Sequence, residues 1–140
     1  MNMNVLLAAL AAGIVSFFLG WLVFGIALMG YYDANMLHHE GLMKADPNMI
    51  GLVLSNLAGG AAIAYVVWKA GARTAMAGFL PACIIGLLFA TSYDLFNASF
   101  MMMYKTRTII VVDILLNGAF GGVLGMVAGM VLGMGKKEGA

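Results

Sequence analysis

Charged side chains are scarce in this sequence: Asp, Glu, Lys and Arg make up 9% of its 140 residues. A water-soluble domain carries about a quarter, so a soluble globular fold is excluded. The few charges almost cancel, to a formal net charge of +1, and no basic patch is there to draw nucleic acid. Cysteine is nearly missing as well. Cys83 stands alone, which excludes an internal disulfide framework and a closed zinc site built from several cysteines. Inside its apolar run it reads as a small buried hydrophobe. No lysine or arginine precedes the first apolar run. That run therefore lacks the basic start of a signal peptide, is too long for one, and is expected to stay as a helix.

Apolar residues are abundant, at 64%, with 19 glycines and 13 methionines. Four stretches reach the roughly 20 residues that a helix needs to cross about 30 Å of hydrocarbon. They run from about residue 5 to 29, 49 to 68, 75 to 98 and 108 to 134. The alternating short segments of a β-barrel are missing. The expectation is an all-α membrane protein, a four-transmembrane-helix bundle, with residues 1–140 forming one domain whose main partner is the lipid bilayer. Asp46-Pro47-Asn48 marks a helix start after the one sizeable loop.

Four spans put both termini and the Lys69–Arg73 connection on one side of the membrane, called side one here. That side carries Lys69, Arg73, Lys136 and Lys137, and side two carries Lys44, Lys105 and Arg107. The excess of basic residues favours cytoplasmic termini. A bias this small also permits subunits inserted in both directions.

The fourth span holds a ridge. Asp113, Asn117, Gly121, Gly125, Gly129 and Gly133 recur every four residues, and steps of four trace one face of a helix. Such a bare face is expected to form a close helix–helix seam, within one subunit or between subunits. Ala8, Ala12, Ser16 and Gly20 offer a matching face on the first span, and Asn56, Gly60 and Ala64 on the second.

Charge inside a membrane costs about 2.5–3.5 kcal/mol for an aspartate at the centre of a helix, so Asp94 and Asp113 each need a reason. Counted from helix ends, they fall with Asn56, Asn97 and Asn117 in one shallow layer near side two. Three readings stay open. Lys105 and Arg107 could pair with the two acids. The acids and amides could line a wet pocket for a cation or proton. The amides could instead bind another membrane subunit.

His38, His39 and Glu40 form a possible metal site in the first loop, but adjacent histidines point different ways and make a poor clamp. No histidine lies within a span, so haem is not expected, and no other cofactor is implied. Tyr31, Tyr32 and Trp68 fit an aromatic belt at the membrane surface. Met101-Met102-Met103 reads as apolar filling.

Several short stretches have a familiar look: residues 18–25 (Phe-Leu-Gly-Trp-Leu-Val-Phe-Gly), Gly41-Leu42-Met43, Asn56-Leu57 with Gly60, and Ala64-Tyr65. Ile85-Gly86-Leu87-Leu88, Ser92-Tyr93-Asp94-Leu95 and Val112-Asp113-Ile114 continue the pattern. Over nearly its whole length the chain resembles a family of small bacterial four-helix membrane proteins of unknown function. The resemblance implies four helices and an inner-membrane location, and supplies no catalytic residues. Small multidrug exporters and fluoride channels are similar in size and span count only, and their functional motifs are missing.

These features lead first to a non-enzymatic accessory or assembly subunit that packs through glycine-rich faces, as a homo-oligomer or with other membrane subunits. The alternatives are a small channel or proton- or cation-coupled transporter using Asp94 and Asp113, and a metal-binding protein using the histidine loop.

Overall fold

The computed structural model describes residues 3–134. Lys136 and Lys137, which enter the charge count for side one, lie outside the described residues. Helix α1 spans Met3–Leu22 and runs into a π-helical turn at Val23–Ala27, followed by a short α2, Met29–Asn35. Then come α3 (Met49–Lys69), α4 (Ala75–Phe100) and α5 (Arg107–Gly133). Four helices of 21 to 27 residues, α1 being counted with its π turn, are long and apolar enough to cross a membrane. The all-α four-helix bundle expected from composition is the fold observed, and α3, α4 and α5 begin and end within two residues of the expected limits.

Local chemistry accounts for the helix ends. The Asn48 side chain accepts a hydrogen bond from the Gly51 amide at 3.1 Å, and Thr74 accepts from Ala77 at 3.2 Å. Each satisfies one of the orphan donors at a helix start. Gly71, with φ of 73°, turns the chain after α3, in a conformation that other residues rarely adopt.

The helices pack in two close pairs, α1 with α3 and α4 with α5, joined through contacts of α5 with α1 and α3. Consecutive helices α3 and α4 touch little. The dry core uses small side chains: Val5, Ala8, Ala64, Val67, Ala82, Ala128 and Leu132 are buried together with Ala72 of the α3–α4 turn. It closes the bundle at side one. Toward side two the bundle opens into a cleft.

The glycine ridge of α5 faces α4 within the same chain. A methyl group added to Gly121 would stand 2.8 Å from the Ala82 carbonyl oxygen. On Gly125 it would strike the Gly78 carbonyl, on Gly129 that of Thr74, and on Gly133 that of Arg73. On α4, Gly86 is as tight, 2.7 Å from the Asn117 carbonyl oxygen. The second pair closes in the same way, since a methyl group on Gly60 would stand 2.6 Å from Gly13 Cα and 2.7 Å from the Ala9 oxygen. Lipid supplies no hydrophobic force between helices, so dispersion and close backbone approach hold these pairs. The seam expected from the ridge therefore runs inside the subunit.

Backbone cannot yield as a flexible side chain can. Gly78→Ala, whose methyl group meets the Gly125 carbonyl, is expected to destabilise the fold by about 1–3 kcal/mol. Gly59→Ala, with no atom within 4 Å of the added carbon, should leave stability unchanged or slightly raised. Unfolding of both variants by sodium dodecyl sulfate in mixed micelles checks the contrast.

Candidate functional site

The α4–α5 seam brings two acids together. Asp94 lies six residues before the end of α4 and Asp113 six residues after the start of α5. Each stands about 9 Å along its own helix, but the seam that sets Gly78 on Gly125 and Gly86 on Asn117 places Ala90 opposite Asp113, so Asp94 lies one turn nearer side two. The ridge holds the two backbones close, with both acids on facing helices of the same seam. Asp94 is 2% exposed, and Asp113 is half-buried. Asn117, one turn beyond Asp113, donates from Nδ2 to Asp113 Oδ2 at 2.9 Å.

Hydroxyl groups, not cations, meet these carboxylates. Tyr104 donates to Asp94 Oδ1 at 3.0 Å, and Tyr32 donates to Asp113 Oδ1. Among the described residues the possible ion pairs do not form, and Lys105 is held elsewhere. Lys105 gives its backbone amide to the Asn35 carbonyl at 3.0 Å, and its Nζ to the Ala34 carbonyl at 2.9 Å. Arg107 is exposed at the start of α5.

Two local devices aim the tyrosines. The first is a backbone clip: Leu37 donates to the Met103 carbonyl at 2.7 Å while Lys105 donates to Asn35, with Met36 opposite Tyr104. It ties the end of α2 to the α4–α5 loop. The second is the π turn, whose wider ring is closed by Leu28 N–H bonding to the Val23 carbonyl at 2.8 Å. Such turns recur at functional sites. Here α2 leaves it with Tyr32 turned inward. Phe24 sits edge-on between Tyr32 and Phe120, with ring centres 5.9 and 5.6 Å away. Tyr32 was expected in the surface belt, and this geometry withdraws it.

A further polar link lies across the bundle, where Ser16 of α1 donates to Asn56 Oδ1 of α3 at 2.7 Å. Asn56 in turn donates to the Leu52 carbonyl at 2.8 Å. Among the described residues two buried polar atoms find no partner, Asp94 Oδ2 and Asn97 Nδ2. Asn97 is 5% exposed and lies one turn beyond Asp94 on the same face. An unpaired buried group costs about 1–3 kcal/mol, so this corner of the site has unspent capacity for a proton, water or cation.

The acids border two hollows. A cleft of about 460 Å³ between α3 and α4 reaches inward to Ser16, Asp113 and Asn117. A smaller hollow of about 270 Å³ is lined by Phe24, Tyr32, Asp113 and Asn117. Asp113 and Asn117 are thus a shared wall. The histidine loop does not gather. His38 Nε2 lies 3.2 Å from the Asp33 carbonyl oxygen and His39 Nε2 lies 2.8 Å from that of Met102, while Glu40 is exposed. Among the described residues no three His, Cys, Asp or Glu side chains converge as metal ligands. Adjacent side chains diverge, and each imidazole has taken a backbone partner.

Sequence reasoning missed the two tyrosines and the place of Ser16. The tyrosine hydroxyls are held far above their ordinary value of about 10. For Tyr32 the causes are burial, the bond to Asp113 and the fields of Asp113 and Asp94. For Tyr104 they are burial, the bond to Asp94 and the fields of Asp94 and Asp113. Folding favours the neutral phenols, so their stabilising contribution is complete below about pH 10 and is lost as pH climbs through the raised folded values. Ultraviolet titration should therefore show a late-ionising tyrosine fraction. That fraction should vanish in the Tyr32→Phe/Tyr104→Phe variant, and its persistence there would place the raised hydroxyls elsewhere.

Comparison with family models, with curated proteins and with solved structures finds no match to this chain.

Proposed function

We propose that this chain is a small proton- or cation-coupled transporter or channel of the bacterial inner membrane, working through Asp94 and Asp113. One observation carries the reading. Asp94, 2% exposed on α4, and Asp113, half-buried on α5, stand inside the membrane layer, and their partners are hydroxyls and an amide with no formal charge. Carboxylates so placed in a medium of low dielectric are costly unless a proton or cation neutralises them. A structural ion pair would carry its own lysine or arginine. This pair does not, and its counter-charge has to come from outside the chain.

The surroundings suit exchange of that charge. Tyr32 and Tyr104 cover the acids from side two, and hydroxyl donors can break and remake their bonds without leaving a charge behind. The unpartnered Asp94 Oδ2 offers a further acceptor. The glycine faces that partly motivate the assembly reading are covered within the chain, which leaves them no argument for a partner subunit. The slight excess of basic residues on side one favours cytoplasmic termini, an orientation in which the acids lie toward the outer face.

Flux of protons and of monovalent cations into proteoliposomes tests the proposal. Asp113→Asn and Asp94→Asn are each expected to reduce it at least tenfold, on the scale of about 1.4 kcal/mol per factor of ten, with the purified variants still folded. Flux that survives the double variant removes the proposal.

A further inference from the structure

The cleft between α3 and α4 has a chemistry that narrows what the acids meet. Its walls are hydrocarbon and aromatic: Ile63 on α3, Ile85 and Phe89 on α4, Phe120 and Leu124 on α5. Its mouth opens at the bundle surface between α3 and α4. Gly59 and Ala62 form an exposed, nearly bare lip on α3, and on α4 Phe89 is 76% exposed and Tyr93 61%. At the inner end stand Asp113 and Asn117. The volume, about 460 Å³, lies within the range of about 300–1,000 Å³ usual for small-molecule sites.

From this arrangement we infer that the cleft binds a lipophilic monovalent organic cation, which enters sideways from the bilayer and sets its charged nitrogen against Asp113. The inference rests on the transport reading and names its substrate class. Each rival fits one part of the cleft and fails on another. A hydrated inorganic ion finds too few oxygens along these walls to replace its water. A lipid tail fits the walls and leaves the carboxylate without a counter-charge. An anion is repelled. An amine or quaternary ammonium with an aromatic or alkyl body satisfies both ends, and the Phe89, Tyr93 and Phe120 rings offer faces that attract a cation. Its arrival supplies the positive charge that the acid pair otherwise takes from a proton, so binding releases that proton toward the Tyr32 side.

Benzyltrimethylammonium and its uncharged isostere neopentylbenzene separate the two contributions. They differ by one charge at nearly constant shape. Binding of each to protein-loaded lipid nanodiscs is measured against empty discs. The wild-type chain is expected to retain the cation above the empty discs and the isostere no more than they do. Asp113→Asn should weaken cation binding about tenfold or more. Ala62→Trp, which leaves the acid in place and fills the lip, should weaken it as well, so a folding defect at the acid does not decide the outcome. Equal retention of both probes, or charge discrimination that survives Asp113→Asn, overturns the inference. If discrimination is missing while aspartate-dependent proton flux persists, the substrate class falls and the transport reading stands. If cation binding depends on Asp113 and no flux is found, the site stands and the transport reading falls.

Discussion

The approach of α4 to α5 is the constraint on which the rest of this molecule depends. Gly78 and Gly125 press backbone on backbone, and Gly86 meets Asn117 in the same way. At that separation side chains of ordinary size have no room between the helices, and the two aspartates are held on facing helices one turn apart. The energetic order is plain. Many small dispersion contacts along the seam are set against two polar groups that the membrane penalises. Packing that would be modest in water thus becomes what holds an unfavourable chemical pair in place.

Around this seam the bundle divides its work along the membrane normal. At side one, alanine, valine and leucine fill the interior. At side two, α2 and the α4–α5 loop are tied by backbone bonds and bring phenol groups over the acids. Between them α3 and α4 stand apart. The opening follows from connectivity, because each of these helices is committed to a different partner: α3 lies on α1, and α4 on α5. A site with a greasy entrance and an acidic floor arises from that division without any helix being broken.

Much of this was legible in the sequence, for identifiable reasons. Span limits follow from runs of apolar residues, whose cost of interruption is high. The ridge was legible because a helix repeats its faces every three to four residues, so Gly121, Gly125, Gly129 and Gly133 fall in line. Asp94 and Asp113 stood out against their surroundings. Their partners did not. Tyr32 lies 81 residues from Asp113, and its direction depends on a π turn that no residue pattern in Val23–Ala27 announces. Lys105 and Arg107 were the natural counter-charges by proximity. The clip that diverts Lys105 is made of backbone atoms, to which side-chain identity gives no clue. Whether the ridge faced inward or toward a neighbour was equally hidden, since a glycine face carries no label for its partner.

The π turn also sets the phase of everything that follows it. An α-helix advances about 100° per residue, and the wide turn absorbs roughly one residue's worth of that rotation before α2 begins. Shortening Val23–Ala27 by a single residue would keep the span long enough for the membrane and swing the Tyr32 ring around the helix axis, away from its carboxylate. The length of this segment, more than its composition, is thus the gauge by which a hydroxyl on one helix finds an acid on another.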